Sequence, residues 1–189
     1  MISLTICLNG SPETPILICV SPQWGSDQPD FRTKIRTQIQ QKIGASDDAN
    51  MQSLEDLSQI PHHPDFKISI SHSPMLGGFA LVESSKGLGF DLEVQSRVRL
   101  PTIQRMASPE EISLAPSPAH LWSAKEAAFK SLWPAKQPLT LSEIFVLNWS
   151  EDSFEATTRK DNDVIHGRTG HIGPDDHIFA VALSLTSAP

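Results

Sequence analysis

Three short stretches of the chain carry side chains that could do chemistry. In Gly89-Phe90-Asp91-Leu92-Glu93 the two acids are two positions apart. A strand puts residues i and i+2 on one face. Asp91 and Glu93 would then project together, about 7 Å apart at ~3.3 Å rise per residue, with Phe90, Leu92 and Val94 on the core side. Carboxylates that close repel unless hydrated, protonated or bridged by a cation, and oxygen-only ligation suits a hard ion such as Mg2+. Taken alone, the pattern also fits an exposed strand with two hydrated acids.

The second stretch is Leu121-Trp122-Ser123-Ala124-Lys125-Glu126-Ala127-Ala128-Phe129-Lys130. On a helix, Trp122, Glu126 and Lys130 form one stripe at i, i+4 and i+8, and Leu121, Ala124, Ala128 and Leu132 form the packing stripe. Alone, Glu126 and Lys130 read as a surface pair contributing about 0.2–0.5 kcal/mol. If Glu126 meets Asp91 and Glu93, the site has three carboxylates beside an ammonium, a set that fits Mg2+ and the oxygens of a diphosphate. The third stretch is Ile68-Ser69-Ile70-Ser71-His72-Ser73. Its hydroxyls and imidazole could donate to phosphate oxygens or simply bond nearby backbone.

The elements that must position these residues follow from periodicity and punctuation. Apolar runs at 2–8 and 16–20, broken by Asn9-Gly10-Ser11-Pro12, predict two strands that could pair as a hairpin. Asp30 is the expected cap of a helix over 31–43, whose Phe31, Ile35, Ile39 and Ile43 recur every four residues and whose C′ residue would be Gly44. Met51, Leu54 and Leu57 suggest a weaker second helix, ended by Pro61 and Pro64. Alternation returns in strands from Phe66, over 79–82 and around 90–94, with a turn at 84–87. Residues 97–117 read as a loop with one short helix near Pro109-Glu110-Glu111. Ser117 and Pro118 should open a helix over about 118–133, closed by Pro134. The tail reads as strands near 144–149, 153–158, 163–168 and 177–184.

Composition narrows the function classes. The 189 residues carry a formal charge of −7 with a pI near 5.4, a poor balance for neutralising nucleic-acid phosphates. That counts against a Mg2+-dependent nuclease built on the same carboxylates. No apolar run of 18 residues or more is present, so no membrane helix is expected. The N-terminus lacks a basic, then apolar, leader pattern. Cys7 and Cys19 form no CxxC pair, and a cytoplasmic location is the expectation. Residues 97–136 run against the overall charge, with Arg97, Arg99, Arg105, Lys125, Lys130 and Lys136 against Glu110, Glu111 and Glu126. The segment reads as a solvated face or as a dock for an acidic partner.

Taken in order, Ser69-Ile70-Ser71-His72, Gly89-Phe90-Asp91-Leu92-Glu93 and Trp122-Ser123-Ala124-Lys125-Glu126-Ala127 with Lys130 resemble the signatures of the 4′-phosphopantetheinyl transferase superfamily. The three-carboxylate version and the length resemble a compact variant of the surfactin-synthetase-activating type. The resemblance implies an α+β fold of two pseudo-two-fold-related α/β halves, 1–84 and 85–189, the second carrying the metal site, in a monomer. It implies transfer of the phosphopantetheine arm of coenzyme A to a serine of an acidic acyl or peptidyl carrier protein, with release of 3′,5′-ADP. The alternative is a catalytically silent module that binds coenzyme A or a carrier.

By match, Asp91, Glu93 and Glu126 would hold Mg2+. Glu126 would be the base, directly or through water, and Lys130 would stabilise the attacked phosphate. Ser71 and His72 would contact coenzyme A phosphates. Lys125 would be either a phosphate contact or a structural pair. Where many relatives have a glycine–lysine–proline that touches the nucleotide, this chain has Ile60-Pro61-His62-His63-Pro64-Asp65, with His62 or His63 as substitutes. Arg32, Lys34 and Arg36 are either further 3′-phosphate contacts or a solvated helix face.

Overall fold

A computed structural model describes residues 1–9, 11–44, 52–83, 86–160, 163–173 and 176–184. Gly10, Met51, Ser84 and Ser85, on which some of the expectations fall, lie outside the described residues.

The chain forms a mixed α+β fold with two antiparallel sheets. Strands β1 (Ile2–Leu8), β2 (Ser11–Ser21), β3 (Phe66–His72) and β4 (Gly77–Glu83) make the first sheet, in the order β1-β2-β4-β3. Strands β5 (Gly87–Val94), β6 (Ile144–Ser150), β7 (Ser153–Thr158), β8 (Ile165–His171) and β9 (His177–Ser184) make the second, in the order β5-β9-β8-β7-β6. The helices are α1 (Phe31–Ile43), α2 (Gln52–Glu55), α3 (Leu100–Ile103), α4 (Pro109–Leu114) and α5 (Pro118–Ser131).

The layers run helix, sheet, sheet, helix. Between the sheets, Ile16, Ile18, Val20, Ala80 and Val82 meet Leu88, Phe90, Leu92, Val181 and Leu183. On the outer face of the first sheet, Cys19, Phe79 and Leu81 receive Ile35 and Ile39 of α1 and Leu54 of α2. On the outer face of the second, Val146, Ala156, Ala180 and Ala182 receive Leu121, Ala124, Ala127 and Ala128 of α5. Central strands are therefore apolar on both faces, and β9 is buried along its whole length.

Most predicted elements are present, with three differences. Asp30 does not cap α1 through its side chain. It adopts a left-handed backbone (φ 57°) and makes no side-chain cap bond, a conformation that Asp tolerates better than most residues. The second helix is a single turn, Gln52–Glu55. The 97–117 segment holds two short helices, because Ser108 and Glu111 close a reciprocal capping box that starts α4 and α3 precedes it. Helix α5 opens as expected, with the Ser117 hydroxyl accepting the His120 N–H.

Helix α5 lies close to its sheet because the sheet offers almost no side chain beneath it. A Cβ at Gly89 would fall 1.8 Å from the Ala127 carbonyl oxygen, and one at Gly87 equally close to that of Ser131. Gly89 pairs with Ala182 and Asp91 with Ala180 across β5 and β9. We expect Gly89→Ala to lift α5 and destabilise the fold by about 1–3 kcal/mol or more, as overpacked sites do, read as a lowered urea midpoint at unchanged slope.

Candidate active site

Asp91 and Glu93 follow Gly87 and Gly89 on one face of β5, the face that α5 covers. The helix runs antiparallel to the strand, with Ser131 over Gly87 and Ala127 over Gly89. The stripe Trp122, Glu126, Lys130 therefore tracks along the continuation of β5. Lys130 Nζ pairs with Asp91 Oδ1 at 2.8 Å and donates to the Phe90 carbonyl at 3.2 Å. Trp122 and Glu93 line a cleft of about 400 Å3, together with His72 and Arg97, whereas Lys130 lines a separate cavity.

Strand β3 reaches this place from the other sheet. Its Ile68 and Ile70 pack toward the helices of the first layer, and its serines point to the free edge of β5. The Ser69 hydroxyl accepts the Phe90 N–H at 2.9 Å, and the Ser71 hydroxyl accepts the Leu92 N–H at 3.1 Å. Ser71 also donates to Asp91 Oδ1 at 3.0 Å. The next N–H on that edge, of Val94, is taken by the Glu93 carboxylate at 2.8 Å. The outward N–H groups of Phe90, Leu92 and Val94 are thus satisfied by side chains rather than by a neighbouring strand. Nearby, Ser73 Oγ lies 3.0 Å from His177 Nε2 and ties the β3–β4 turn to β9.

Electrostatics mark Glu126. Burial raises its pKa above the usual carboxylate range, the Asp91 and Glu93 charges push it further up, and Lys130 opposes them. The three acids therefore share one field. Among the described residues, no three of His, Cys, Asp and Glu draw close enough together to form a metal-holding cluster. Asp91 Oδ2 is nevertheless buried with no hydrogen-bond partner. An unpartnered buried carboxylate oxygen is unfavourable, and a hard cation is its natural complement. On that test, the Asp91 carboxylate suits a hard cation such as Mg2+. His72 is pushed below its ordinary pKa by burial first, then by Arg32 and Lys130, with Asp91 opposing. Its ring and that of Phe31 meet in a T-shaped pair, with centroids 4.7 Å apart.

Several expected residues lie elsewhere. Lys125 does not reach the cleft. It is fully buried, with Nζ 2.7 Å from Glu111 Oε1 and bonded to the Met106 and Ile144 carbonyls. Burial lowers its pKa and Glu111 opposes the fall. Of the two readings of Lys125, the contacts describe the structural pair. Ser71 is likewise engaged inside the protein, where the sequence suggested a coenzyme A phosphate contact. Arg36 is buried and donates to the Ser53 and Gln59 carbonyls, so it is no part of a solvated or phosphate-facing row; Arg32 and Lys34 are exposed. His63 is buried and accepts the Asp65 N–H, whereas His62 is exposed and lines a second cavity of about 300 Å3 with Lys67, Lys130 and Trp133.

Sequence reasoning missed Glu111, which joins three elements, α4, α5 and β6. Its Oε1 receives Lys125 and the Val146 N–H, and its Oε2 receives the Ser108 N–H. The Ser108-x-x-Glu111 spacing is the pattern of a capping box, and nothing in it reveals the burial. Lys125→Met would leave Glu111 buried and unpaired, and we expect a loss of about 3–5 kcal/mol in unfolding free energy. Were Lys125 a ligand contact, the same variant would keep its urea midpoint and raise the coenzyme A KM instead.

No curated protein matches the chain. Residues 87–182, from the first residue of β5 into β9, match the profile of the 4′-phosphopantetheinyl transferase superfamily (ACPS). The match takes in β5, α5 and the strands that hold them together. By that match, which covers half of its length, the chain belongs to the 4′-phosphopantetheinyl transferase superfamily.

Proposed function

We propose that the protein moves the 4′-phosphopantetheine arm of coenzyme A to a serine hydroxyl of an apo acyl or peptidyl carrier protein. The observation that supports this most directly is the meeting of Asp91 and Lys130, with Glu126 in the field of both acids, at the junction of the two sheets. In this reading the chain divides into halves at 1–84 and 85–189, and the cleft between them takes coenzyme A.

The serine oxygen attacks the phosphorus that bears the pantetheine. A new phosphodiester bond forms, the bond to the leaving phosphate breaks, and 3′,5′-ADP departs with that electron pair. Phosphoryl transfer of this kind asks the protein for alignment and for charge neutralisation more than for covalent chemistry. The serine proton passes to the Glu126 carboxylate, directly or through one water. An oxygen that holds Mg2+ is less basic, so the proton goes to the Glu126 oxygen left free of the ion or to that water. The Lys130 ammonium, already placed by Asp91 and the Phe90 carbonyl, faces the charge that builds on the attacked phosphate. His72 borders the cleft lined by Glu93 and Trp122 and contacts the coenzyme A phosphates in this reading. Asp91, Glu93 and Glu126 would hold Mg2+, which supplies neutralisation of the non-bridging diphosphate oxygens.

Arg97 and Arg99 follow β5 directly, and Arg105 lies just beyond α3; all three are exposed. Arg97 also lines the cleft with Glu93. They form the docking face we assign to an acidic carrier.

Two outcomes test this reading. Glu126→Gln should cut arm transfer by roughly 10²- to 10⁴-fold, measured by mass spectrometry of an apo carrier incubated with coenzyme A and Mg2+. Its urea midpoint should not fall, because the substitution removes a crowded, half-buried charge. A silent binding module would instead leave the carrier unmodified by the wild-type chain. Arg99→Glu with Arg105→Glu should raise the carrier KM and leave the coenzyme A KM unchanged; a rise in the coenzyme A KM alone would remove the docking assignment.

A further inference from the structure

We infer that Ser71 is a positioning residue that aims Asp91, and that it touches no part of the substrate. The inference rests on the functional reading above for the identity of the cation, and on the hydrogen-bond inventory for everything else.

A serine hydroxyl has one hydrogen to donate and two lone pairs to accept with. In Ser71 the hydrogen goes to Asp91 Oδ1 at 3.0 Å, one lone pair receives the Leu92 N–H at 3.1 Å, and Lys130 Nζ approaches the other at 3.5 Å. The side chain is buried. Its only hydrogen is committed inside the protein, so it has none to give a phosphate.

The two oxygens of Asp91 are consequently unlike. Oδ1 takes the Ser71 hydroxyl and the Lys130 ammonium. Oδ2 is buried and takes nothing. Two donors on one oxygen fix the rotation of the carboxylate, and that rotation leaves the second oxygen for an ion. Hydrogen bonds to a ligating group from residues that do not themselves touch the metal are worth roughly 10- to 100-fold in affinity or activity. Ser69 supplies an internal control. It makes the same kind of bond to β5, from the same face of β3, with the Phe90 N–H as donor, and it touches no carboxylate in any bond described.

The experiment compares Ser71→Ala with Ser69→Ala in the full chain. Mn2+ uptake is followed by the electron paramagnetic resonance of the free ion at saturating coenzyme A, and coenzyme A binding by calorimetry at saturating Mn2+. Urea unfolding is recorded for both variants. Both should lose similar stability. Ser71→Ala alone should weaken Mn2+ binding, by roughly 10- to 100-fold, with coenzyme A affinity changed less than about twofold. If Ser71→Ala does not fold, Ser71→Cys, which keeps the shape and offers only a weak donor, carries the same expectation. The inference is overturned if the loss falls on coenzyme A rather than Mn2+, if Ser69→Ala weakens Mn2+ equally, or if neither variant shifts it. In the last case, wild-type chain that takes up Mn2+ and transfers the arm leaves the functional reading standing. Wild-type chain that does neither overturns both.

Discussion

The free edge of β5 is the constraint around which the site is arranged. A strand at the border of a sheet presents N–H and C=O groups that burial makes costly to leave unpaired. Here that border is pressed against the face of β3 in the other sheet, where no backbone ladder is available. Serine hydroxyls receive the N–H groups of Phe90 and Leu92, a carboxylate receives that of Val94, and a lysine from α5 donates to the carbonyl of Phe90. Of those side chains, Ser71, Glu93 and Lys130 join Asp91 in the candidate site. Closing the backbone and assembling the chemistry are one act of folding.

The packing on the other side of β5 makes this possible. Glycine on β5 and alanine on β9 let α5 descend until its carbonyls nearly touch the strand. Only at that height does Lys130 reach both the Phe90 carbonyl and Asp91. The Lys125–Glu111 pair then anchors α5 to α4 and β6 from within. Such a buried pair is weak evidence of net stability, but it fixes the rotation of the helix, and so the direction in which the neighbouring Glu126 points.

Much of this was legible in the chain. The alternation of Phe90, Leu92 and Val94 against Asp91 and Glu93 is visible as a pattern of period two. Ser117, Pro118 and Pro134 bracket α5, and the Trp122, Glu126, Lys130 stripe follows from helical geometry alone. Lys125 is left open by the sequence between a phosphate contact and a structural pair, because its residue type points one way and its position the other. It lies four residues after Leu121 and three before Ala128, inside the apolar stripe, and its partner Glu111 is too distant in sequence for a local pattern to pair them. The serines of β3 were unreadable for a different reason. Polar residues alternating with Ile68 and Ile70 normally face water, and nothing local reveals that another sheet's edge occupies that side. Gly87 read as a turn residue because its close approach to Ser131 is a property of the tertiary fold.

A seam made of side chains has a consequence for inheritance. Ladder bonds between strands come from the main chain and survive almost any codon change. The contacts that join β3 to β5 at Phe90 and Leu92 each depend on one hydroxyl oxygen from one serine. A single nucleotide substitution can erase such a rung, and only residues that offer an oxygen at the same reach can replace it. At Ser69 and Ser71, therefore, a change of side chain removes a contact that backbone pairing cannot restore.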